Sequence, residues 1–183
     1  MKRLLLFIVL AGSLLLTGCP KVAPPYTGGL APEPSNLKPF LDDKAGINMA
    51  IPAGWSPVAI PAGSATVKAQ FKKDGTSAML QVHCQSFFAD RYALQINMLN
   101  LVNAATTANT RVWPEYCMGG GFTDPEFSAW TGTASAGGER NYYIAWKLDS
   151  HLGQCKYGLF LDVKREDAAK VEGDFLAIVR TLK

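Results

Sequence analysis

Residues 127–163, FSAWTGTASAGGERNYYIAWKLDSHLGQCKYGLFLDV, contain three successive stretches in which side chains alternate between two faces. The stretches are residues 127–133, 142–148 and 155–163, and Gly137-Gly138 and Gly153 lie at the connections between them. A period of two is typical of β-strands, and short glycine-containing connections join antiparallel neighbours. This region therefore predicts an antiparallel meander of three strands.

The sequence before the meander predicts further strands. Residues 47–51 alternate in the same way and end at Pro52. Residues 65–71 and 77–85 alternate on either side of Asp74-Gly75, which is typical of a hairpin turn. One face of the second arm is apolar, and we expect it to pack against a helix.

Two stretches change to helical spacing. Apolar residues recur every three or four positions over residues 89–105, where Asp90 near the start favours the positive end of the helix dipole. Residues 168–182 carry a second apolar stripe. Between the first helix and the meander, residues 110–125 include Pro114 and three glycines, and we expect an irregular loop with at most a short strand at 111–113. The order strand, hairpin, helix, meander, helix predicts an α+β fold, with two main helices packed on an antiparallel β-sheet.

The two ends of this domain carry a family resemblance. INMAIPAGW at residues 47–55 and FLAIVRTLK at residues 175–183 resemble the PsbP-like superfamily, which includes the DcrB family of bacterial lipoproteins. The resemblance covers about residues 45–183 and implies a PsbP-like sandwich. It also implies a protein that binds or scaffolds other proteins, without a shared catalytic set.

The N-terminus is typical of a secretory signal. Met1-Lys2-Arg3 is followed by an apolar run from Leu4 to Leu16, which is shorter than the roughly 20 residues that cross a bilayer. The run ends in Leu16-Thr17-Gly18-Cys19, which resembles the lipoprotein cleavage box. The resemblance implies cleavage before Cys19 and diacylglycerol on its sulfur. By the sorting rule of such lipoproteins, Pro20 in place of Asp implies the outer membrane, facing the periplasm.

A proline-rich stretch follows the anchor. Six prolines lie between Pro20 and Pro39, without hydrophobic periodicity. Proline-rich chains extend about 3.1 Å per residue, so this stretch reaches roughly 60 Å. We therefore divide the chain into a signal peptide (1–18), a lipidated cysteine with its linker (19–44) and an α+β domain (45–183).

The charge balance excludes some partners. The chain has 18 basic and 15 acidic residues, and two of the basic ones, Lys2 and Arg3, leave with the signal. A nearly neutral mature chain lacks the basic surface that nucleic acid or anionic lipid requires. We expect no nucleic-acid binding, and attachment to the membrane through acyl chains alone.

The four cysteines leave an odd number after lipidation. Cys19 is the expected lipid acceptor, so Cys84, Cys117 and Cys155 remain for at most one intramolecular bridge. The first helix lies between Cys84 and Cys117 and returns the chain, which favours this pair over Cys117 with Cys155. The alternative is three thiols packed as small apolar groups.

Histidine and cysteine also suggest a metal-dependent or thiol enzyme. The candidates are His83, Cys84, Cys117, His151 and Cys155. Their spacing contains neither a C-x2-C nor an H-x3-H pair, and residues 83 and 84 of a strand point to opposite faces. We therefore expect no metal, no cofactor and no catalytic set.

Two aromatic residues are the candidates for a binding face. Trp130 and Tyr143 alternate with Phe127/Ala129 and with Tyr142/Ile144 respectively. If the helices cover one face of the sheet only, both rings are exposed. The favoured function is therefore a non-enzymatic envelope lipoprotein that binds a protein partner. The alternative is a carrier of a small apolar or cell-wall ligand.

Overall fold

The computed structural model describes residues 36–44, 46–85, 90–117, 125–148 and 156–182, with the backbone alone for 114–117. Within these residues, the strands are β1 (Lys38–Asp42), β2 (Ile47–Ile51), β3 (Trp55–Pro57), β4 (Val67–Lys73), β5 (Met79–Gln85), β6 (Thr106–Cys117), β7 (Glu126–Ala134), β8 (Glu139–Lys147) and β9 (Lys156–Lys164). The helices are α1 (Arg91–Ala105), a 3₁₀ helix (Arg165–Lys170) and α2 (Glu172–Thr181). No helix within the described part of the chain is long and apolar enough to cross a membrane.

Seven strands form one antiparallel sheet in the order β3-β4-β5-β9-β8-β7-β6. The meander is present as β7, β8 and β9, which pair in sequence, and β5 pairs with β9 on its other side. The α+β class and the antiparallel sheet are therefore confirmed. Both helical periodicities are also confirmed, and Asp90 is the N-cap of α1, because its carboxylate accepts a hydrogen bond from the backbone N–H of Ala93 at 2.7 Å.

The expected irregular loop after α1 is wrong for residues 110–117. Strand β6 has twelve residues and begins at Thr106, directly after the last residue of α1. It pairs with β7 along its length, with register shifts between Thr106 and Ala108, between Arg111 and Trp113, and between Trp113 and Tyr116. These irregularities break a period of two, so the strand has no alternating signal in the sequence.

The domain also begins earlier than residue 45. Strand β1 lies inside the stretch assigned to the linker and pairs with β2, with Lys38 opposite Ile51. Phe40 of β1 packs edge-on against Phe71 of β4, with 5.1 Å between ring centroids. The end of the proline-rich stretch is therefore attached to the domain as a strand.

The helices lie on opposite faces of the large sheet. The expected exposure of both Trp130 and Tyr143 required the helices to lie on one face, so that expectation is wrong. The α1 face consists of α1 residues packed on β8 and β9: Leu94, Met98, Val102, Tyr142, Ile144, Trp146 and Phe160. The α2 face is the larger core and contains Tyr143, Ala145, Leu159, Leu161 and Phe175. The side chains from Tyr142 to Trp146 are apolar on both faces of β8, and the strand is buried on both sides.

The two sequence motifs at the ends of the domain meet in space. Trp55 Nε1 donates to Asp174 Oδ2 of α2 at 2.8 Å, and Lys73 Nζ lies 2.8 Å from the same oxygen. The backbone N–H of Ala50 donates to Thr181 Oγ1 at 2.8 Å. These contacts attach β2 and the turn after it to the C-terminal helix.

Candidate binding surface

The predicted lipidation box at Leu16, Thr17, Gly18 and Cys19 lies outside the described residues. The same is true of His151 and Cys155. Lipidation and cleavage before Cys19 therefore stay predictions from the sequence.

The predicted disulfide between Cys84 and Cys117 is wrong. Cys84 is a free thiol on β5, whereas Cys117 ends β6. Strands β9, β8 and β7 lie between β5 and β6, which places the two residues about 19 Å apart at ~4.8 Å per strand. A disulfide requires Cα atoms within about 7 Å. The two cysteines are far apart because α1 crosses over the sheet and the chain after it forms the edge strand β6.

His83 belongs to a hydrogen-bonded chain of neutral groups. Gln81 Nε2 donates to Gln70 Oε1 at 3.0 Å, and Gln81 Oε1 lies 3.2 Å from His83 Nε2. An amide oxygen only accepts, so His83 carries its proton on Nε2, and Nδ1 accepts from the Thr66 hydroxyl at 3.1 Å. Burial lowers the pKa of His83 from 6.5 to about 4. The imidazole is therefore neutral at pH 7, with both nitrogens bonded.

This arrangement does not bring the suggested metal ligands together. His83 and Cys84 point to opposite faces of β5, as neighbours on a strand do. Within the described ranges, no three His, Cys, Asp or Glu side chains are placed to hold a metal ion.

Trp130 and Tyr143 do not share a face, so the predicted binding face is wrong. The register of β7 and β8 pairs Trp130 with Tyr142 and Ala129 with Tyr143. Directly paired residues lie on the same side of a sheet, so Trp130 lies on the α1 face and Tyr143 on the α2 face. Alternation within each strand is visible in the sequence, but the register between two strands is not.

Tyr143 is a core residue. Its side chain is 1% exposed, and its ring lies 5.4 Å from the ring of Trp113 and 5.6 Å from that of Phe175. Its hydroxyl donates to Glu172 Oε1 of α2 at 2.5 Å. These contacts join the sheet to the C-terminal helix and leave no surface for a partner.

Trp130 remains a candidate for binding, together with a residue that the sequence did not indicate. The ring is half-buried at the edge of the α1 cluster, and the guanidinium of Arg111 lies over it at 4.9 Å. Trp130 Nε1 donates to Ser128 Oγ at 3.2 Å, which orients the ring. The cation over the ring is a favourable contact, and arginine and tryptophan are both enriched among the residues that contribute most to protein interfaces. Arg111 was missed because the sequence placed it inside the expected irregular stretch at residues 110–125, where no pairing with Trp130 was predicted.

The outermost strand extends this surface. β6 is the last strand of the sheet, and Val112, next to Arg111, is 44% exposed. We call Arg111, Val112 and Trp130 the β6–β7 surface. It combines a cation, an aromatic ring and an exposed apolar side chain on one strand pair.

Two open cavities lie beside the β4–β5 and β7–β8 turns, and neither favours a charged ligand. They measure about 500 and 520 Å³ and share Lys164 as a lining residue. Acidic and basic side chains are paired there, with Arg165 2.7 Å from Glu139 and Lys170 2.7 Å from Asp167. The hydrogen bond from Lys170, followed by one from Ser77, lowers the pKa of Asp167 to about 2. A site for a charged ligand needs one dominant sign, and these cavities carry both.

Comparison with known proteins shows the fold and no more. No protein-family model and no curated protein sequence matches the chain. The chain is similar to the crystal structure of the Ran-binding protein Mog1p of Saccharomyces cerevisiae, at 12% identity and a TM-score of 0.55, over 81% of this chain and 95% of that one. It is also similar to the solution structure of cyanobacterial PsbP (CyanoP) from Synechocystis sp. PCC 6803, at 12% identity and a TM-score of 0.58, over 86% and 95%. The expected PsbP-like fold is therefore confirmed.

Proposed function

We propose that this protein is a lipid-anchored, non-enzymatic binding module of a bacterial cell envelope, and that the β6–β7 surface contacts a protein partner. The observation that carries the partner site is the guanidinium of Arg111, 4.9 Å from the half-buried Trp130 ring on the outermost strand pair. The anchor rests on the resemblance of Leu16 to Cys19 to the lipoprotein box. We also propose that the protein is related to the DcrB family of bacterial lipoproteins.

The fold is compatible with this function. One structural neighbour is described as a Ran-binding protein, so the same architecture serves protein recognition elsewhere. Trp130 is already oriented by Ser128 and covered by Arg111, so binding orders few additional side chains. A partner that buries Trp130 gains its contact area at a low cost in conformational entropy.

Photo-crosslinking in the intact, membrane-attached protein tests the surface. We expect a photoreactive residue at Val112 to capture a defined partner, and the same residue at Ile60 to capture none. The two positions have matched exposure, 44% and 41%. Trp130→Ala and Arg111→Ala should each reduce capture at position 112 at least about fivefold, as expected for an interface anchor worth 1 kcal/mol or more. Equal capture at both positions, or unchanged capture in both variants, would contradict the proposed surface.

Cys19→Ser tests the anchor separately. A serine offers no thiol to the lipid donor, so we expect complete loss of labelling by a palmitate analogue and accumulation of a precursor. Fractionation of the wild-type protein should place it in the outer membrane, as Pro20 implies. Unchanged labelling of the Cys19→Ser variant refutes the lipoprotein assignment, and recovery in the inner membrane alone refutes the sorting.

A further inference from the structure

Two buried hydrogen-bond donors on the α1 face have no partner among the described residues. They are the hydroxyl of Tyr142 and Nε1 of Trp146, both on side chains that are at most 1% exposed. An unpaired buried donor costs about 1 to 3 kcal/mol, so two on one strand require an explanation. A bound ligand that supplies the missing hydrogen-bond acceptors is an explanation that experiment can test.

The two donors bound a single apolar seam between α1 and the sheet. Tyr142 and Trp146 lie four residues apart on β8, so their side chains share a face and their Cα atoms are separated by about 13 Å. Ile144 lies between them on the strand, and Leu94, Met98 and Val102 of α1 lie opposite. The seam is therefore elongated, apolar in its middle and supplied with a donor near each end.

Met98 fills the seam where the strand leaves most space. Gly158 of β9 pairs with Trp146, and a Cβ atom on Gly158 would lie 2.2 Å from Met98 Sδ. Methionine is unbranched and has three rotatable side-chain bonds, so it adapts to a change in the shape of such a space more readily than a branched side chain does. The α1 cluster is also distinct from the larger core on the α2 face. A change in α1 packing therefore leaves the larger core in place.

The charges beside the donors favour an uncharged molecule. Asp162 is paired with Tyr142 across β8 and β9 and forms an ion pair with Arg140. Burial first, then the charge of Asp162, raises the pKa of Tyr142, while Arg140 opposes this rise. At the other end, Glu126 is paired with Trp146 and forms an ion pair with Arg91. An arginine pairs with each carboxylate, so neither end has an unpaired charge to stabilise an ionised ligand. An ionised ligand would lose its hydration in the apolar seam without compensation.

We propose that the seam between α1 and β8 is a binding site for an elongated, uncharged, mostly apolar molecule with carbonyl or ether oxygens, which accept hydrogen bonds from Tyr142 and Trp146. The ligand displaces the side chain of Met98 and lies along Ile144. Trp130 of the β6–β7 surface is paired with Tyr142 and borders this site. The proposal does not depend on the protein partner proposed for that surface.

Methyl decanoate, an uncharged ester, tests the site in the mature chain, with decanoic acid as its anionic match. Isothermal titration should show binding of the ester, and at least about tenfold weaker binding of the acid at pH 8. Tyr142→Phe and Trp146→Phe should each weaken ester binding about threefold to tenfold, as loss of one hydrogen bond predicts.

Thermal unfolding of the same variants supplies a second readout. Without ligand, Tyr142→Phe should raise the melting temperature by ~2 °C or more, because it removes an unpaired buried hydroxyl. Tyr157→Phe is the matched control, since the equally buried Tyr157 hydroxyl accepts from the backbone N–H of Asn48 at 2.6 Å and donates to the carbonyl of Gly46. The control should lower the melting temperature and leave ester binding unchanged.

Three results overturn the proposal. Absence of ester binding to the wild-type chain excludes the site. Equal binding of the ester and the acid shows that the site does not select uncharged molecules. A fall in melting temperature for Tyr142→Phe equal to that of Tyr157→Phe shows that the Tyr142 hydroxyl is already paired in the ligand-free protein.

Discussion

Tyr143→Ala should destabilise the domain by about 3 to 5 kcal/mol, as large-to-small changes at buried aromatic positions do. The ring is 1% exposed and packs between Trp113 and Phe175, so its removal leaves a cavity between the sheet and α2. Its hydroxyl is also the donor to Glu172, and the substitution leaves that carboxylate without it. Urea unfolding of the chain without residues 1–18, followed by far-ultraviolet circular dichroism, measures the change.

Tyr143→Phe and Trp130→Ala are the matched controls. Tyr143→Phe keeps the packing and removes the hydroxyl, which donates to Glu172 and accepts from Asn141 Nδ2 at 3.4 Å, so we expect a loss of about 1 to 3 kcal/mol. Trp130 is half-buried at the edge of its cluster, so Trp130→Ala should cost clearly less than Tyr143→Ala. If Tyr143→Ala unfolds no more easily than Trp130→Ala, Tyr143 is not a core residue.

Acidification should destabilise the domain through His83. The pKa of this imidazole is about 4 in the folded protein, because of burial, against 6.5 for an ordinary histidine. Between these values the unfolded chain binds a proton that the folded chain does not, so the free energy of unfolding falls as the pH falls from 6.5 to 4. The shift corresponds to about 3 kcal/mol, fully lost below pH 4 and fully present above pH 6.5.

The difference between the wild-type protein and His83→Gln isolates this effect. Urea unfolding at intervals from pH 4 to pH 8 should show a pH-dependent difference confined to the window between 4 and 6.5. Asp167 titrates outside this window, because Lys170 and Ser77 lower its pKa from 3.8 to about 2, so its contribution is lost only as the pH falls through that range. Parallel pH curves for the two proteins would show that His83 is accessible to protons in the fold.

Local periodicity accounts for what was predictable. The alternation in β7, β8 and β9 and the helical spacing in α1 and α2 are set by residues close in the chain, since each element must turn one kind of side chain toward a core. The α+β class and the antiparallel meander follow from the order of these elements. The free Cys84, the buried Tyr143 and the strand β6 do not follow, because each depends on residues far away in the sequence.

The sequence by itself determined the alternation in β2, β4, β5, β7, β8 and β9, the two apolar helical stripes, and the turns at Asp74-Gly75 and Gly137-Gly138. It also determined a near-neutral charge for the chain without residues 1–18. Only the tertiary structure decided that Trp130 lies opposite Tyr142 and beneath Arg111, and that α1 and α2 cover opposite faces. A one-residue change of register moves all side chains of a strand to the opposite face of the sheet. The alternating pattern in the sequence is the same in both registers. Register and helix placement are set by contacts between strands and between layers, and no single segment contains them.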